Sequence, residues 1–352
     1  MAATRTSRSP RLAFSPGIAF LISTLLILVG CTTAGPSVTP LVTSPATAAP
    51  TPGAPTATPA PAFPVTLTDD EGTDVTIPAE PRKIVSLTPA TTETLFAIGA
   101  GDRVVGKVQD PANYPPEAAS IPEVATNAGV DVEKIVALGA DLVVSGGVGL
   151  TQGPAVEQLR RANIPVIVSY PTTVDKGVAG IVLIGTAVGL APEAMRLTDG
   201  IRRQLDDLAA IAATAAKKPR LFYEVDTSGG IFTPPADSIY GEMFRLAGAD
   251  PIAGDANYSI SLEKLVAADP ELILLGDAAY GVTSDAVKAR PGWGGMTAVK
   301  AGRIVPVDDI VVTRPGPRIA EGLRALIKAI HPELVLDDVS PSASPMPLAT
   351  AP

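Results

Sequence analysis

Short apolar runs alternate with amphipathic stretches between residues 63 and 339. The runs at 83–87 and 141–145 have the length and the branched side chains of buried strands. Other stretches, such as 152–162, place apolar residues at helical spacing. Strands that alternate with helices indicate a parallel sheet with helical crossovers. The pattern therefore predicts an α/β fold.

The predicted elements begin with a small β-hairpin over residues 65–77, which turns at Asp70, Glu71 and Gly72. Further strands are predicted at 83–87, 103–106, 141–145, 166–169, 220–225, 271–275 and 303–307. Helices are predicted at 91–98, 131–138, 152–162, 238–247, 261–268 and 318–330.

One stretch, residues 192–218, predicts a much longer helix. Pro192 suits the first helical turn, and Lys217 and Lys218 suit the negative end of the helix before Pro219 ends it. A helix of this length spans about 40 Å. Two interpretations are open: an ordinary amphipathic helix packed on a sheet, or a rigid connection between two lobes.

The flanking segments favour the connection, because they resemble each other. Residues 130–147 and 260–277 both read as a short helix followed by a strand, with Glu133 and Lys134 in the same positions as Glu263 and Lys264. A duplicated lobe explains the match. We therefore expect an N-terminal lobe at 63–190, a connecting helix at 191–218 and a C-terminal lobe at 219–339.

The two ends of the chain have a different character. Three arginines precede an apolar run at 18–29, as in a signal peptide, which we assign to residues 1–30. Cys31 follows in a context that resembles a bacterial lipobox, where the cysteine becomes lipidated; a plain signal peptide that contains a cysteine is the alternative. Residues 31–62 are rich in Pro, Thr and Ala and predict an extended tether. Residues 340–352 predict a disordered tail.

Composition excludes several classes of function. The 352 residues carry a net charge of −9 without a basic stripe, which argues against nucleic-acid binding. One Cys rules out a disulfide framework within the chain, and one His, His331, argues against a direct metal site. No phosphate-binding glycine loop, dinucleotide motif or catalytic triad is evident. We therefore expect neither an enzyme nor a resident cofactor.

Four motifs in order resemble the substrate-binding proteins of ABC importers for iron chelates and cobalamin. They lie at residues 82–93, 113–118, 133–143 and 314–319. The resemblance covers residues 64–334 and implies two Rossmann-like lobes joined by one long rigid helix. It implies a monomeric protein, lipid-anchored outside the cell membrane, that delivers a metal chelate to a permease dimer.

Ligands of open α/β sheets bind outside the carboxyl ends of the strands. This rule selects Thr88, Thr92, Gly147, Tyr170, Asp226, Asp309 and Arg314 as ligand-binding candidates. The resemblance adds the loop residues Tyr114, Asn127, Tyr258 and Trp293.

Three of these candidates have structural alternatives. Tyr114 could pack its own proline-rich loop, and Trp293 could fill a core. Arg314 precedes a helix and suits an anionic chelate, or it forms an ion pair with Asp308 or Asp309 that closes the lobes.

Glu133 and Glu263 have two interpretations as well. Each lies in the first turn of a short helix, where a carboxylate favours the helix dipole. The resemblance implies instead that the two carboxylates dock on arginines of the permease.

The resulting hypothesis is a lipoprotein that captures a corrinoid or a ferric siderophore between its lobes; haem also remains open, although a single His makes it less suitable. A lipid-anchored ligand sensor with the same fold is the alternative. A metallocluster or chelatase-type enzyme would need Cys or His ligands that this sequence lacks.

Overall fold

The computed structural model describes residues 63–147 and 152–337. The segments predicted as signal peptide, lipidation site, tether and tail therefore lie outside the described residues. The first half of the described chain contains eight strands and four α-helices. In chain order they are β1 (Val65–Thr68), β2 (Asp74–Ile77), β3 (Ile84–Ser86), α1 (Pro89–Ala97), β4 (Val104–Val108), β5 (Glu123–Thr126), β6 (Gly129–Val130), α2 (Val132–Ala137), β7 (Leu142–Ser145), α3 (Gly153–Arg161), β8 (Val166–Val168) and α4 (Val174–Ala187).

The sheet of this N-terminal lobe has the strand order β6-β5-β4-β3-β7-β8. All of its pairings are parallel except β5 with β6. Because β3 pairs in parallel with both β4 and β7, the carboxyl ends of these three strands lie at one edge of the sheet. The strand order reverses direction at β3. Strands β1 and β2 form the predicted hairpin as a separate antiparallel pair.

A long helix, α5 (Ala191–Ala212), connects this lobe to the C-terminal lobe. The second lobe contains β9 (Arg220–Glu224), α6 (Ile239–Leu246), β10 (Asp250–Pro251), α7 (Leu262–Ala268), β11 (Leu272–Leu275), α8 (Ser284–Lys288), α9 (Thr297–Ala301), β12 (Ile304–Pro306), α10 (Asp309–Thr313) and α11 (Ile319–Ile330). Its described sheet is parallel throughout, in the order β10-β9-β11-β12. The two-lobed α/β fold predicted from the sequence is confirmed.

The connecting helix is shorter than predicted. It begins at Ala191 and ends at Ala212, whereas the prediction extended it to residue 218. The hydroxyl and the backbone N–H of Thr214 both bond the carbonyl of Ile211, which closes the last turn. Pro219 then disfavours helical backbone at Lys218 and leads the chain into β9.

The sequence pattern did not predict α4, which packs along α5. Its apolar residues are spread around the helix rather than confined to one stripe, and most of them are buried. A Cβ on Gly185 would lie 2.3 Å from the Cβ of Ala194, so only glycine allows this close packing of the two helices. Buried residues of α4, α5 and α11 join side chains beneath both sheets in one continuous core.

None of the helices in the described ranges is both long and apolar enough to cross a membrane.

Candidate ligand-binding cleft

A cleft of about 1230 Å³ lies between the lobes. Its walls come from the segments that follow the carboxyl ends of β3, β7 and β8, together with α4, α6 and the loop between α10 and α11. This is the position where α/β sheets bind ligands. Such a volume exceeds the upper end of the usual range for small-molecule sites, so the cleft suits a large ligand.

Five of the predicted ligand-binding residues line this cleft: Thr88, Asn127, Tyr170, Tyr258 and Arg314. Gly147 lies one residue beyond the lining residue Gly146, at the last position before residues 148–151, which the structure does not describe. Its φ of 101° is in the region that favours glycine.

Three further candidates make structural contacts instead. The buried hydroxyl of Thr92 lies 2.8 Å from Ser86 Oγ, so it joins the network beneath α1. Asp226 accepts hydrogen bonds from the backbone and the hydroxyl of Ser228, which lower its pKa. Asp309 accepts a 2.5 Å hydrogen bond from the Tyr223 hydroxyl. None of the three lines the cleft.

Trp293 also lies away from the cleft. It is 3% exposed in the core of the C-terminal lobe, where its ring packs edge-on against Phe222 at 5.9 Å between centroids. The guanidinium of Arg290 lies 4.6 Å from the ring centroid. The prediction that Trp293 contacts ligand is therefore corrected to the packing alternative.

Hydroxyl and amide groups dominate the polar lining of the N-terminal lobe. The buried amide of Gln152 donates to the carbonyl of Leu87 at 2.8 Å and accepts from Ser145 Oγ at 2.7 Å. These bonds tie the chain after β3 to the chain after β7, and so hold both strand ends in place. Thr88 accepts from the Thr91 backbone as the N-cap of α1.

Helix α4 forms an apolar wall of the cleft that the sequence analysis missed. Gly177, Gly180, Ile181 and Ile184 all line the cleft. A Cβ on Gly180 would lie 2.7 Å from Ser169 Oγ, so glycine keeps this hydroxyl accessible beside the helix. The small side chains also preserve the width of the cleft.

Three tyrosines from the other walls converge on the same space: Tyr170, Tyr240 and Tyr258. Burial raises the pKa of Tyr240 and, to a smaller extent, that of Tyr258; neighbouring phenols raise both further. Both phenols therefore stay protonated at neutral pH and can donate hydrogen bonds. The backbone N–H of Tyr170 donates to Asp70 Oδ2 at 2.7 Å, which fixes this segment against the β1–β2 hairpin.

At one end of the cleft, two arginines of the C-terminal lobe meet two carboxylates of the N-terminal lobe. Arg314 donates to Glu93 Oε1 at 2.8 Å and to both oxygens of Asp110 at 2.5 and 3.0 Å. Arg318 donates to both oxygens of Glu93 at 2.7 and 2.9 Å. Its guanidinium also lies 3.8 Å from the ring centroid of Tyr114, which contributes to this contact and not to the cleft lining. We call these five residues the interlobe cluster.

The interlobe cluster corrects the alternative proposed for Arg314. The arginine does close the lobes, but not through Asp308 or Asp309. Asp308 caps α10 by accepting from the Ile310 backbone, and Asp309 is occupied by Tyr223. The carboxylates that Arg314 uses lie 204 and 221 residues earlier in the chain.

The four charged members of the interlobe cluster are largely buried, whereas Tyr114 is 37% exposed. Glu93 and Asp110 are 3% and 5% exposed, and the side chains of Arg314 and Arg318 are 12% and 14% exposed. Burial raises the pKa of Asp110, but the hydrogen bonds and charge of Arg314 and the Ala112 backbone outweigh it and give a net lowering. Removing one partner of such a pair costs about 3–5 kcal/mol, because the other charge stays buried without compensation.

Helices α2 and α7 lie outside the cleft and expose nearly the same surface. Residues 131–137 and 261–267 have the same order of buried and exposed positions. Glu133 and Glu263 are exposed in the first turns, and Val136 and Val266 follow on the same face at 46% and 37% exposure. Hydrogen bonds from its own backbone and from Ser261 lower the pKa of Glu263, which is therefore ionised at neutral pH.

Among the described residues, no group of three or more His, Cys, Asp and Glu side chains has the arrangement of a metal site. His331 is 3% exposed, and its Nε2 lies 3.1 Å from the carbonyl of Gly248 in the C-terminal lobe.

Two lobes joined by one helix, with a large cleft between them, define a binding protein. Comparison with known proteins agrees: a family model for periplasmic binding proteins matches residues 84–311, and the chain belongs to this family. Its members are substrate-binding proteins of transporters rather than enzymes.

Two relatives are similar along most of their length. The chain is 35% identical over 277 residues to the ABC transporter substrate-binding lipoprotein YvrC of Bacillus subtilis, with 77% of this chain and 87% of YvrC covered. It is 30% identical over 281 residues to a cobalamin-binding protein of Halobacterium salinarum, with 76% and 74% covered. Among solved structures, the haem-binding protein RhuT of Roseiflexus is similar with a TM-score of 0.62 at 25% identity, over 71% of this chain and 99% of RhuT. The chain is accordingly an ABC-transporter substrate-binding protein.

Proposed function

We propose that this protein captures a metal chelate, a corrinoid or a ferric siderophore, in the interlobe cleft and delivers it to an ABC permease. The observation that carries the proposal is the cleft of about 1230 Å³ at the strand ends, with hydroxyl, amide and apolar walls. Its size suits a ligand larger than a sugar or an amino acid. The cobalamin-binding relative supports the corrinoid.

Titration calorimetry with cyanocobalamin, a ferric hydroxamate and haem tests this proposal. We expect binding of one chelate at one site per chain. Gly177→Leu is the blocking variant, because a Cβ at this lining position meets its neighbours at an ordinary 3.6–3.8 Å and the longer side chain then fills the cleft. Gly200→Leu on α5 is the matched control, since a Cβ there has no atom within 4 Å. Absence of chelate binding, or equal loss in both variants, would contradict the proposal.

The permease-docking surface comprises Glu133, Val136, Glu263 and Val266. Its support is the near-identical exposure of the two helices, which offers one carboxylate and one valine per lobe. A dimeric permease presents two equivalent sites, so a duplicated surface matches it. Two charge pairs set far apart would fix orientation on the membrane partner.

The proposed anchor is a lipid on Cys31, followed by the tether at residues 31–62. The lipobox-like sequence supports it, and the relative YvrC is called a lipoprotein. Cys31→Ser should move the protein from the membrane fraction to the soluble fraction. Unchanged fractionation, with no acyl group detected on the native protein by mass spectrometry, would contradict the anchor.

A further inference from the structure

The arginines at the cleft are already committed to carboxylates. Arg314 lines the cleft, yet both of its terminal nitrogens donate to Glu93 or Asp110, and Arg318 behind it is bonded to Glu93. Two positive groups are thus matched by two negative groups within the protein. The cluster presents a neutral surface rather than a cationic one.

The remaining described lining is uncharged except for Asp237, an exposed residue just before α6. No salt bridge to this carboxylate is formed within the described ranges, and the other polar side chains of the described lining, apart from Arg314, carry hydroxyls or amides. The electrostatic balance of the cleft is therefore neutral to slightly negative.

From this balance we infer that the chelate bound here carries no net negative charge and is held through amide or hydroxyl groups. The inference rests on the proposed function and narrows its ligand class. An amide-rimmed corrinoid or an uncharged ferric hydroxamate fits it. A catecholate complex or a dicarboxylate such as haem does not.

The physical reason is competition. An anionic chelate would have to draw Arg314 away from Glu93 and Asp110, and both carboxylates are buried. That exchange leaves a buried carboxylate unpaired, so the anion gains little. Asp237 would repel it at the same time.

Two pairs of probes test the inference by calorimetry. The first is cyanocobalamin and its monocarboxylate, in which one side-chain amide is hydrolysed; shape is conserved and only charge changes. The second is an uncharged ferric hydroxamate and a trianionic ferric catecholate. In whichever pair binds, we expect the uncharged member to bind at least about tenfold more tightly. Its affinity should change little with salt, since no counter-charge is screened.

Variants separate this charge effect from shape. Asp110→Asn should release part of Arg314 and narrow the ratio of affinities. Asp237→Asn leaves the interlobe cluster intact and should narrow the ratio by a smaller factor, which keeps the test usable where the first variant is unstable. Asp285→Asn is the matched control: it makes the same change in net charge on an exposed side chain of α8 outside the cleft lining, and should leave the ratio as it is.

Equal or tighter binding of the charged member would overturn the inference. An unchanged ratio in both Asp110→Asn and Asp237→Asn would overturn it as well, because the discrimination would then arise elsewhere. Binding of neither member in both pairs is a different result: it contradicts the proposed function, and the inference falls with it.

Discussion

The two lobes are alike on their outer ends and different at the edges that face each other. Helices α2 and α7 repeat a capped first turn, an exposed glutamate and an exposed valine. At the carboxyl ends of the strands, however, the N-terminal lobe has hydroxyl networks around Ser86 and Ser145. The C-terminal lobe has no matching hydroxyl pair among its described residues; its β9 and β11 are followed or ended by the buried carboxylates Glu224 and Asp277. Similarity persists where a symmetric partner is proposed and disappears where a single asymmetric ligand is proposed.

The largest expected effect comes from breaking the contact between the two different edges. Arg314→Gln should lower the free energy of unfolding by about 3–5 kcal/mol, because Glu93 and Asp110 stay buried with too few partners. Chemical denaturation measures this change.

A matched ion pair within one lobe provides the comparison for Arg314. Arg290 donates to both oxygens of the fully buried Glu224 at 2.6 and 2.8 Å. Arg290→Gln should also destabilise the protein, but only Arg314→Gln should alter chelate affinity. Equal changes in chelate affinity for the two variants would show that the ion pairs between the lobes influence binding no more than an ion pair within one lobe.

The next largest effect tests whether the similar surfaces of α2 and α7 both contribute to docking. Replacing both Glu133 and Glu263 with Gln should reduce chelate uptake at least about tenfold, since two docking charges are lost. Chelate affinity and thermal stability should stay close to those of the native protein, because both side chains are exposed.

Single variants make that test sharper. If the two ends are equivalent, Glu133→Gln and Glu263→Gln should reduce transport by similar factors. Glu157→Gln, on an exposed side chain of α3, is the control and should transport normally. Normal uptake by the double variant would refute docking through these carboxylates.

A third prediction concerns the titration of Asp277, at the carboxyl end of β11 in the C-terminal lobe. Burial, followed by the charge of Glu224, raises the pKa of Asp277 from 3.8 to about 7. The folded chain therefore holds a proton that the unfolded chain releases near pH 3.8, so the stabilisation is complete at low pH and is lost as the pH rises through 7. This carboxyl should lower the free energy of unfolding by about 1.4 kcal/mol between pH 6 and pH 8.

Asp277→Asn should remove that decrease, because the amide stays neutral. Asp285→Asn on the exposed surface of the same lobe should retain it. Denaturation curves at the two pH values give the result. A native protein whose stability rises between pH 6 and pH 8, with Asp277→Asn unchanged from it, would contradict the assignment.

The smallest effect concerns the valines of the docking surface. Val136→Ser together with Val266→Ser should weaken docking a few-fold, in proportion to the small apolar area involved. Val335→Ser, at a 70% exposed position outside the docking surface, is the control. Stimulation of the permease ATPase as a function of protein concentration measures this shift. Identical curves for the double variant and the native protein would limit the docking surface to the glutamates.

The alternation of strands and helices was enough to predict the architecture, because a parallel sheet follows from local patterns. Helix α4 escaped prediction since its glycines and branched residues leave little polar face, and its exposed positions are confined to Asp175, Lys176 and Ala179. The end of α5 was misplaced because helical spacing continues after Ala212 while backbone bonding does not.

The site was less predictable than the fold. Strand ends correctly indicated the edge that lines the cleft, including Thr88 and Tyr170. The partners of Arg314 could not be found in that way, because local sequence offers Asp308 and Asp309 whereas Glu93 and Asp110 meet the arginine only after both lobes have folded. Tyr240 and Gln152 had no signal beyond their position in helical segments.

The buried position of Trp293 determines what an optical experiment can follow. Since it is the only tryptophan of the chain, its emission at the red edge of the absorption band reports a single environment, the interior of the C-terminal lobe beside Phe222 and Arg290. Tyrosine emission, in contrast, combines six phenols, of which three line the cleft. Excitation at the red edge thus isolates a folding signal of one lobe, without any added dye.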